Sequence, residues 1–315
     1  MSKSVRNEGA SKPAASRRAK AAAAEKLAKR AEKLRRDGDF DKSAELLVEA
    51  QALDPDNADA AWWLGDHAHS AGDIRTALKQ FRRYLRLQPG DPEALHMISA
   101  LGGRRKPKRA SDGYVRDHFD AFAEHFDESL VGDLKYQAPR LLYDSVRKVR
   151  GGRKPLMDML DLGCGTGLVG QRFQPMIRKL WGVDLSTEMA KRARKRGIYE
   201  TVAVSEVTKY LKQTRRSFDL VTAADVLIYI GDLAPLFRGV RRVLNPGGLL
   251  AVSTEIRKGG DFKLTASGRY AHSLKYLKRT GRESGLVLVS DTTARLRYEL
   301  GEAVPGTIAV FVRPA

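Results

Sequence analysis

The 315-residue chain has a single cysteine, Cys164. No disulfide can form within it, and a reducing compartment, the cytoplasm, is the expected location. Aromatic residues are few, at 7%, and the basic runs lack the closely spaced rings on which single-strand nucleic-acid binders stack bases. No run of about 18 apolar residues occurs, so no membrane-spanning helix is expected, and the N-terminus lacks the apolar core of a signal peptide. No His, Cys and carboxylate cluster suggests a metal centre. Acidic residues are outnumbered, with 38 Asp and Glu against 57 Lys and Arg, a formal net charge of +19. Such an excess favours polyanions, but it is unevenly spread. Residues 1–36 hold twelve Lys and Arg against Glu8, Glu25 and Glu32, and a second knot is Arg104, Arg105, Lys106, Lys108 and Arg109. Both read first as a solvated tail and a solvated linker. Nucleic-acid binding through the tail stays open as the less favoured reading.

What is present falls into four stretches. Residues 1–20 have almost no large apolar side chains and are expected to be a disordered basic tail. Residues 21–102 contain an internal repeat: Gly38-Asp39 recurs as Gly72-Asp73, and Asp54-Pro55 is echoed by Gln88-Pro89, both at an offset of 34 residues. That period, with helix-turn-helix content, resembles a tetratricopeptide repeat. Leu64, Gly65, Ala68, Ala77, Phe81, Tyr84 and Pro89 fall where that family alternates small and large residues. Arg30 and Ser43 make the first copy the weaker match. Such a stack suits a protein partner or a purely structural cap. Residues 103–113 read as a basic linker. From 114 to 315, strand-like and helix-like segments alternate. Strands are expected at 156–162, 180–184, 201–205, 219–223 and 249–254, and three more, at 286–289, about 294–299 and 307–312, suggest a terminal hairpin with one antiparallel edge strand. The expected fold is a Rossmann-like, seven-stranded, mostly parallel α/β sheet behind a small all-α repeat domain.

The stretch Met157-Asp158-Met159-Leu160-Asp161-Leu162-Gly163-Cys164-Gly165-Thr166-Gly167 carries the chemistry. An apolar strand ends in glycines at alternate positions, which allow a sharp turn and let a ligand touch the main chain. A dinucleotide fingerprint would need its third glycine at position 168, which is Leu168. Asp161 beside the loop suits a ligand with an ammonium group better than a pyrophosphate. A second strand ends at Asp184, 21 residues after Gly163, where an acid can accept from two ribose hydroxyls.

These residues resemble the class I S-adenosylmethionine-dependent methyltransferases. Supporting matches are Glu206 after the third strand, Phe218-Asp219-Leu220-Val221 opening the fourth, and Asn245-Pro246-Gly247-Gly248 before the fifth. Phe119-Asp120, Phe126-Asp127, the run from Asp225 to Asp232 and Ser267-Gly268-Arg269-Tyr270-Ala271-His272 resemble the predicted methyltransferases that carry tetratricopeptide repeats. The resemblance implies S-adenosylmethionine as cofactor. It implies contacts from Asp161, Gly163, Cys164, Gly165 and Gly167, from Asp184 and Leu185, and from Glu206, Ala224 and Tyr114. For Cys164 the residue reading is small packing, and for Tyr114 packing on the sheet is favoured over closing a lid.

A base is needed only if the acceptor loses a proton during transfer. Asp225, at the carboxyl edge of the fourth strand, and His272 are the catalytic candidates, with His118 and Tyr229 behind them. The absence of an Asn/Asp-Pro-Pro-Tyr/Phe motif, its place taken by Ala224-Asp225-Val226-Leu227, argues against methylation of exocyclic or amide nitrogens. Small molecules and protein side chains are the favoured acceptors. The alternatives are a cofactor-binding scaffold working through its repeats and basic tail, and an RNA methyltransferase.

Overall fold

The computed structural model describes residues 12–151, 155–299 and 301–315. The chain divides into two compact units, residues 1–105 and 106–315. Among the described residues the first holds five helices: α1 (Lys12–Arg36), α2 (Phe40–Leu53), α3 (Ala58–Ser70), α4 (Ile74–Leu87) and α5 (Pro92–Ala100). Helix α1 begins at Lys12, within the stretch expected to be disordered, because its run of Ala, Lys, Arg and Glu is strongly helix-forming; residues 1–11 of the expected tail lie outside the described residues. Each later helix starts at a short polar cap. Asp39, Asn57, Asp73 and Asp91 accept from the backbone N–H three residues on, satisfying a donor the helix leaves free. Gly65 of α3 lies against Phe81 of α4; a Cβ there would sit 2.8 Å from the ring, so only glycine permits this approach. Ser43 stands 34 residues before Ala77, and both are fully buried.

The second unit contains α6 (Asp112–Phe122), a short turn α7 (Phe126–Glu128) running into a π-helical turn (Ser129–Asp133), and α8 (Ala138–Arg150). Then β1 (Met157–Leu162), α9 (Leu168–Phe173), β2 (Ile177–Asp184), α10 (Thr187–Lys195), β3 (Thr201–Val204), α11 (Val207–Gln213), β4 (Phe218–Ala223), α12 (Ala234–Val243) and β5 (Leu244–Ile256) alternate. The chain closes with β6 (Phe262–Leu264), β7 (Tyr270–His272), α13 (Leu274–Glu283), β8 (Val287–Glu299) and β9 (Glu302–Val312). Strands β3, β2, β1, β4 and β5 lie side by side in that order, all parallel. Strand β9 runs antiparallel against β5, and β8 pairs with β9. In the terminal hairpin the strand antiparallel to the rest is β9, with β8 outside it, and β6, at the edge beyond β7, also runs antiparallel. The two segments expected at 286–289 and 294–299 are one strand, with register shifts after Leu288 and Arg295. Strands β6 and β7, which periodicity did not reveal, extend the sheet where β7 pairs with the far end of β5 at Glu255 and Ile256.

Side chains alternate across β1. Leu160 and Leu162 join the core shared with α11, α12 and α13, and Met157 and Met159 join the core under α8 and α9. Residues 106–111 are not a free linker. The Gly231 and Asp232 N–H groups donate to Lys108 O at 2.8 and 2.9 Å, Ala110 N donates to Tyr229 O at 2.8 Å, and the Tyr270 hydroxyl donates to Pro107 O at 2.7 Å. The segment is a strap across the loop that follows β4.

Candidate active site

A cavity of about 240 Å³ opens where β1, β2 and β4 end, the crevice in which open α/β sheets hold ligands. Its floor is the turn after β1. Gly163, Gly165 and Gly167 have φ of +61°, +54° and +100°, a region that residues with a Cβ rarely enter. A side chain on Gly163 would also strike Val226. Asp184, at the end of β2, braces the turn: Oδ2 accepts from Gly165 N at 2.7 Å and Oδ1 from Ser186 N at 2.9 Å. A carboxylate has about four acceptor sites, so each oxygen keeps capacity for a ligand hydroxyl. Burial pushes this carboxyl up to about 6, against the backbone donors that lower it.

Leu185, Glu206, Ala224 and Cys164 also line the cavity. Glu206 caps α11, accepting from Thr208 N at 3.0 Å and Lys209 N at 2.8 Å. Cys164 packs against Ala190, Ala193 and Val202, and burial raises its thiol well above the ordinary range, so it stays protonated. Asp161 is placed differently from the expectation of an ammonium partner. It is fully buried behind the loop and is not on the cavity wall. Thr222 Oγ1 donates to Oδ1 at 2.8 Å and Tyr199 OH donates to Oδ2 at 3.0 Å. Burial lifts its carboxyl to about 7. Its place is under the glycine turn, as the anchor between β1 and β4. Tyr114 is also off the wall, buried with its ring 6.4 Å from that of Tyr229.

Past the glycine turn the cavity meets Asp225, one of two residues other than glycine with positive φ among the described residues, at +53°. Such strain persists only where neighbours over-determine it. Here Asp225 N donates to Ser253 Oγ at 2.8 Å, Ser253 Oγ donates to Asp225 Oδ1 at 2.7 Å, and Arg297 Nη1 donates to Oδ2 at 3.2 Å. Arg297 Nη2 continues to Glu255 at 2.5 Å, which also accepts from Arg269 Nε at 2.8 Å, and Arg269 pairs with Glu299. Burial raises the Asp225 carboxyl and Arg297 opposes the rise. The opposite wall comes from α6, α7 and the π-helical turn, with Phe119, Phe122, Phe126 and Leu130, and from Tyr136 and Tyr229.

His272 is not on this wall. It is fully buried in β7, with Nε2 2.8 Å from Ile230 O and Nδ1 2.7 Å from Thr254 Oγ1. A carbonyl only accepts, so Nε2 carries the proton and Nδ1 accepts from the threonine. Burial lowers its pKa to about 4. It is a neutral pin between β5, β7 and the loop after β4, and the catalytic candidate loses its place for want of access. His118 is exposed at the rim of the cavity. Arg269, Arg297, Thr166 and Arg109 line the cavity without having been singled out as site residues by sequence. Among the described residues, no group of three or more His, Cys, Asp or Glu could hold a metal ion.

Residues 160–252 match the family model of a methyltransferase domain, and residues 28–92 match that of a tetratricopeptide repeat. This chain carries a methyltransferase domain. Similar curated proteins are ubiquinone biosynthesis O-methyltransferases. That of Xanthomonas oryzae pv. oryzae is 32% identical over 133 residues, 41% of this chain and 54% of that protein. That of Xanthomonas campestris pv. campestris is 28% identical over 162 residues, 50% of this chain and 66% of that protein. The chain spans about half the length of the first of these relatives. Among solved structures, the methyltransferase domain resembles the N-methyltransferase NodS of Bradyrhizobium japonicum in complex with S-adenosyl-L-homocysteine, at 19% identity and a TM-score of 0.51, over 64% of this chain and 99% of that one. It also resembles the [4+2]-cyclase SpnF, at 17% identity and a TM-score of 0.53, over 66% of this chain and 98% of that one. The methyltransferase domain thus has the fold of the S-adenosylmethionine-dependent methyltransferases.

Proposed function

We propose that the protein transfers a methyl group from S-adenosylmethionine to an oxygen of a small, largely apolar acceptor. The observation that carries the reading is the placement of Asp225. It stands in the same cavity as the glycine turn and Asp184, beneath a wall of phenylalanines and tyrosines. The cofactor supplies a methyl group already activated by its sulfonium. The residues fit it: the glycine turn offers bare backbone, Asp184 has acceptor capacity left for ribose hydroxyls, and Glu206 faces the cavity beside Leu185. Asp161 supports the turn from beneath.

The remaining task of the protein is to position the acceptor and receive its proton. The aromatic wall orients a flat apolar body and excludes water. Asp225, its rotamer fixed by Ser253 and Arg297, is placed to take the proton that the acceptor hydroxyl gives up. The names of the curated relatives, O-methyltransferases, support oxygen as the acceptor atom. The tetratricopeptide unit supports a protein partner alongside this activity.

The test is methyl transfer from labelled S-adenosylmethionine to a panel of phenols and catechols. Asp225→Asn should lower kcat by roughly 10²- to 10⁴-fold while S-adenosylhomocysteine still binds by calorimetry. Wild-type protein that fails to bind S-adenosylhomocysteine would sink the reading.

A further inference from the structure

The two Phe-Asp pairs of the sequence, Phe119-Asp120 and Phe126-Asp127, have one architecture. Each phenylalanine lines the cavity, and each aspartate bonds to a loop that frames it. Asp127 accepts from Thr166 Oγ1, in the glycine turn, at 2.5 Å, and from Arg196 Nη2 at 2.5 Å. Arg196 in turn donates through Nε to Thr166 O at 2.5 Å. Asp120 accepts from Ser186 Oγ at 2.5 Å and from Glu188 N at 3.2 Å, at the start of α10. Ser186 and Gly165 are the residues whose N–H groups hold Asp184. A continuous path of hydrogen bonds therefore runs from Asp120 through Ser186, Asp184 and the glycine turn to Asp127. It joins the aromatic wall at two points to the two loops assigned above to the cofactor. The wall also touches the turn directly, since a Cβ on Gly165 would lie 3.6 Å from the Phe126 ring.

These bonds differ from core packing. Asp127 is 44% exposed and Arg196 23%, so water can replace that pair at modest cost, whereas the Asp120 bond ends on Ser186, which is fully buried. With both made, the wall stands over the floor and the cavity is walled on both sides. We propose that Asp120 and Asp127 are latches: they must release for S-adenosylmethionine or S-adenosylhomocysteine to enter or leave, and the acceptor site is assembled only when they are made. They are positioning residues, acting through the wall and the loops. The order of binding follows, with cofactor first and acceptor second. This inference rests on the cofactor reading above.

The experiment measures exchange of radiolabelled S-adenosylhomocysteine against unlabelled ligand, together with its Kd by calorimetry, on the full chain. The variants are Asp120→Ala/Asp127→Ala, Asp127→Asn, which keeps an acceptor for Thr166, and Asp117→Ala as an exposed control on the same helix. The double variant should take up and release ligand at least about tenfold faster, four hydrogen bonds to the two carboxylates being lost, with Kd changed by less than about threefold. Asp127→Asn should fall between, and Asp117→Ala should match wild type. Raising salt should speed exchange in wild type and much less in Asp127→Asn, because the Arg196 contact is ionic; a merely structural aspartate would not produce that difference. Exchange within about twofold of wild type in folded variants would overturn the latch. So would faster release with unchanged uptake, since the two residues would then stabilise only the bound state. Absence of binding in wild type overturns the cofactor reading and the latch together, whereas wild-type binding with unchanged exchange overturns the latch alone.

Discussion

Asp161 and Asp184 are acids with different surroundings, and their pH behaviour separates them. Asp161 in the unfolded chain titrates near the ordinary aspartate value of about 3.9, and burial in the folded protein lifts it to about 7. Between those values the folded state holds the extra proton. Its contribution to stability is full below about pH 4 and is lost as pH rises through about 7. Asp161→Asn keeps an amide between Thr222 and Tyr199 and cannot ionise. Its thermal midpoint should depend less on pH across this window, and at pH 8 should equal or exceed that of wild type; a midpoint well below wild type at pH 8 would mean the ionised carboxylate is needed. Asp184 faces the cavity and its carboxyl titrates near about 6. If it accepts ligand hydroxyls in its charged form, affinity for S-adenosylhomocysteine should strengthen as pH rises from 5 to 7 and then level. The sequence pointed to both acids because each stands at the end of an apolar strand beside a turn. It did not separate them, since alternation along β1 and β2 leaves open which acid faces the ligand and which faces α9. His272 failed for a related reason: nothing in Tyr270-Ala271-His272 tells a rim histidine from one sealed between two strands.

Elements that recur in sequence were the most legible. The five parallel strands and the glycine turn follow from local patterns that tertiary packing only confirms, and so do the helices of the repeat. The 34-residue offset also explains Ser43. It occupies the small position that Ala77 fills in the next copy, fully buried, with an Oγ that meets no partner among the described residues. Ser43→Ala should therefore stabilise the repeat unit by about 1 kcal/mol, because an unsatisfied hydroxyl is removed at no loss of volume; denaturant titration followed by far-ultraviolet dichroism would register it, and a loss of stability would show that the hydroxyl is satisfied in solution. The strap at residues 106–111 lies within the stretch 103–113, whose charge, glycines and single proline suggest a linker. Composition cannot see that its carbonyls and N–H groups are used by residues more than a hundred positions away. Arg297 and Arg269 were missed for the same reason. Each arrives in the cavity from the C-terminal part of the sheet, and only the fold brings them beside Asp225.

At the scale of the molecule, two units with separate cores make distinct thermodynamic objects. Calorimetric unfolding should show two transitions, and saturating S-adenosylhomocysteine should raise only one of them, by RT ln(1 + [L]/Kd) in free energy. A shift of both by the same amount would mean that the units melt as one. The methyltransferase domain also has a particular order of assembly. Strand β8, which carries Arg297, pairs with β9 alone among the described strands, and β9 is the strand that docks on β5. A chain emerging from the ribosome can build the parallel strands and the glycine turn early. It cannot seat Arg297 against Asp225 until residues 302–312 are free to insert between β5 and β8. On the function proposed above, a nascent chain acquires its nucleotide floor well before it seats the proposed base, and ligand capture during synthesis would precede competence to react.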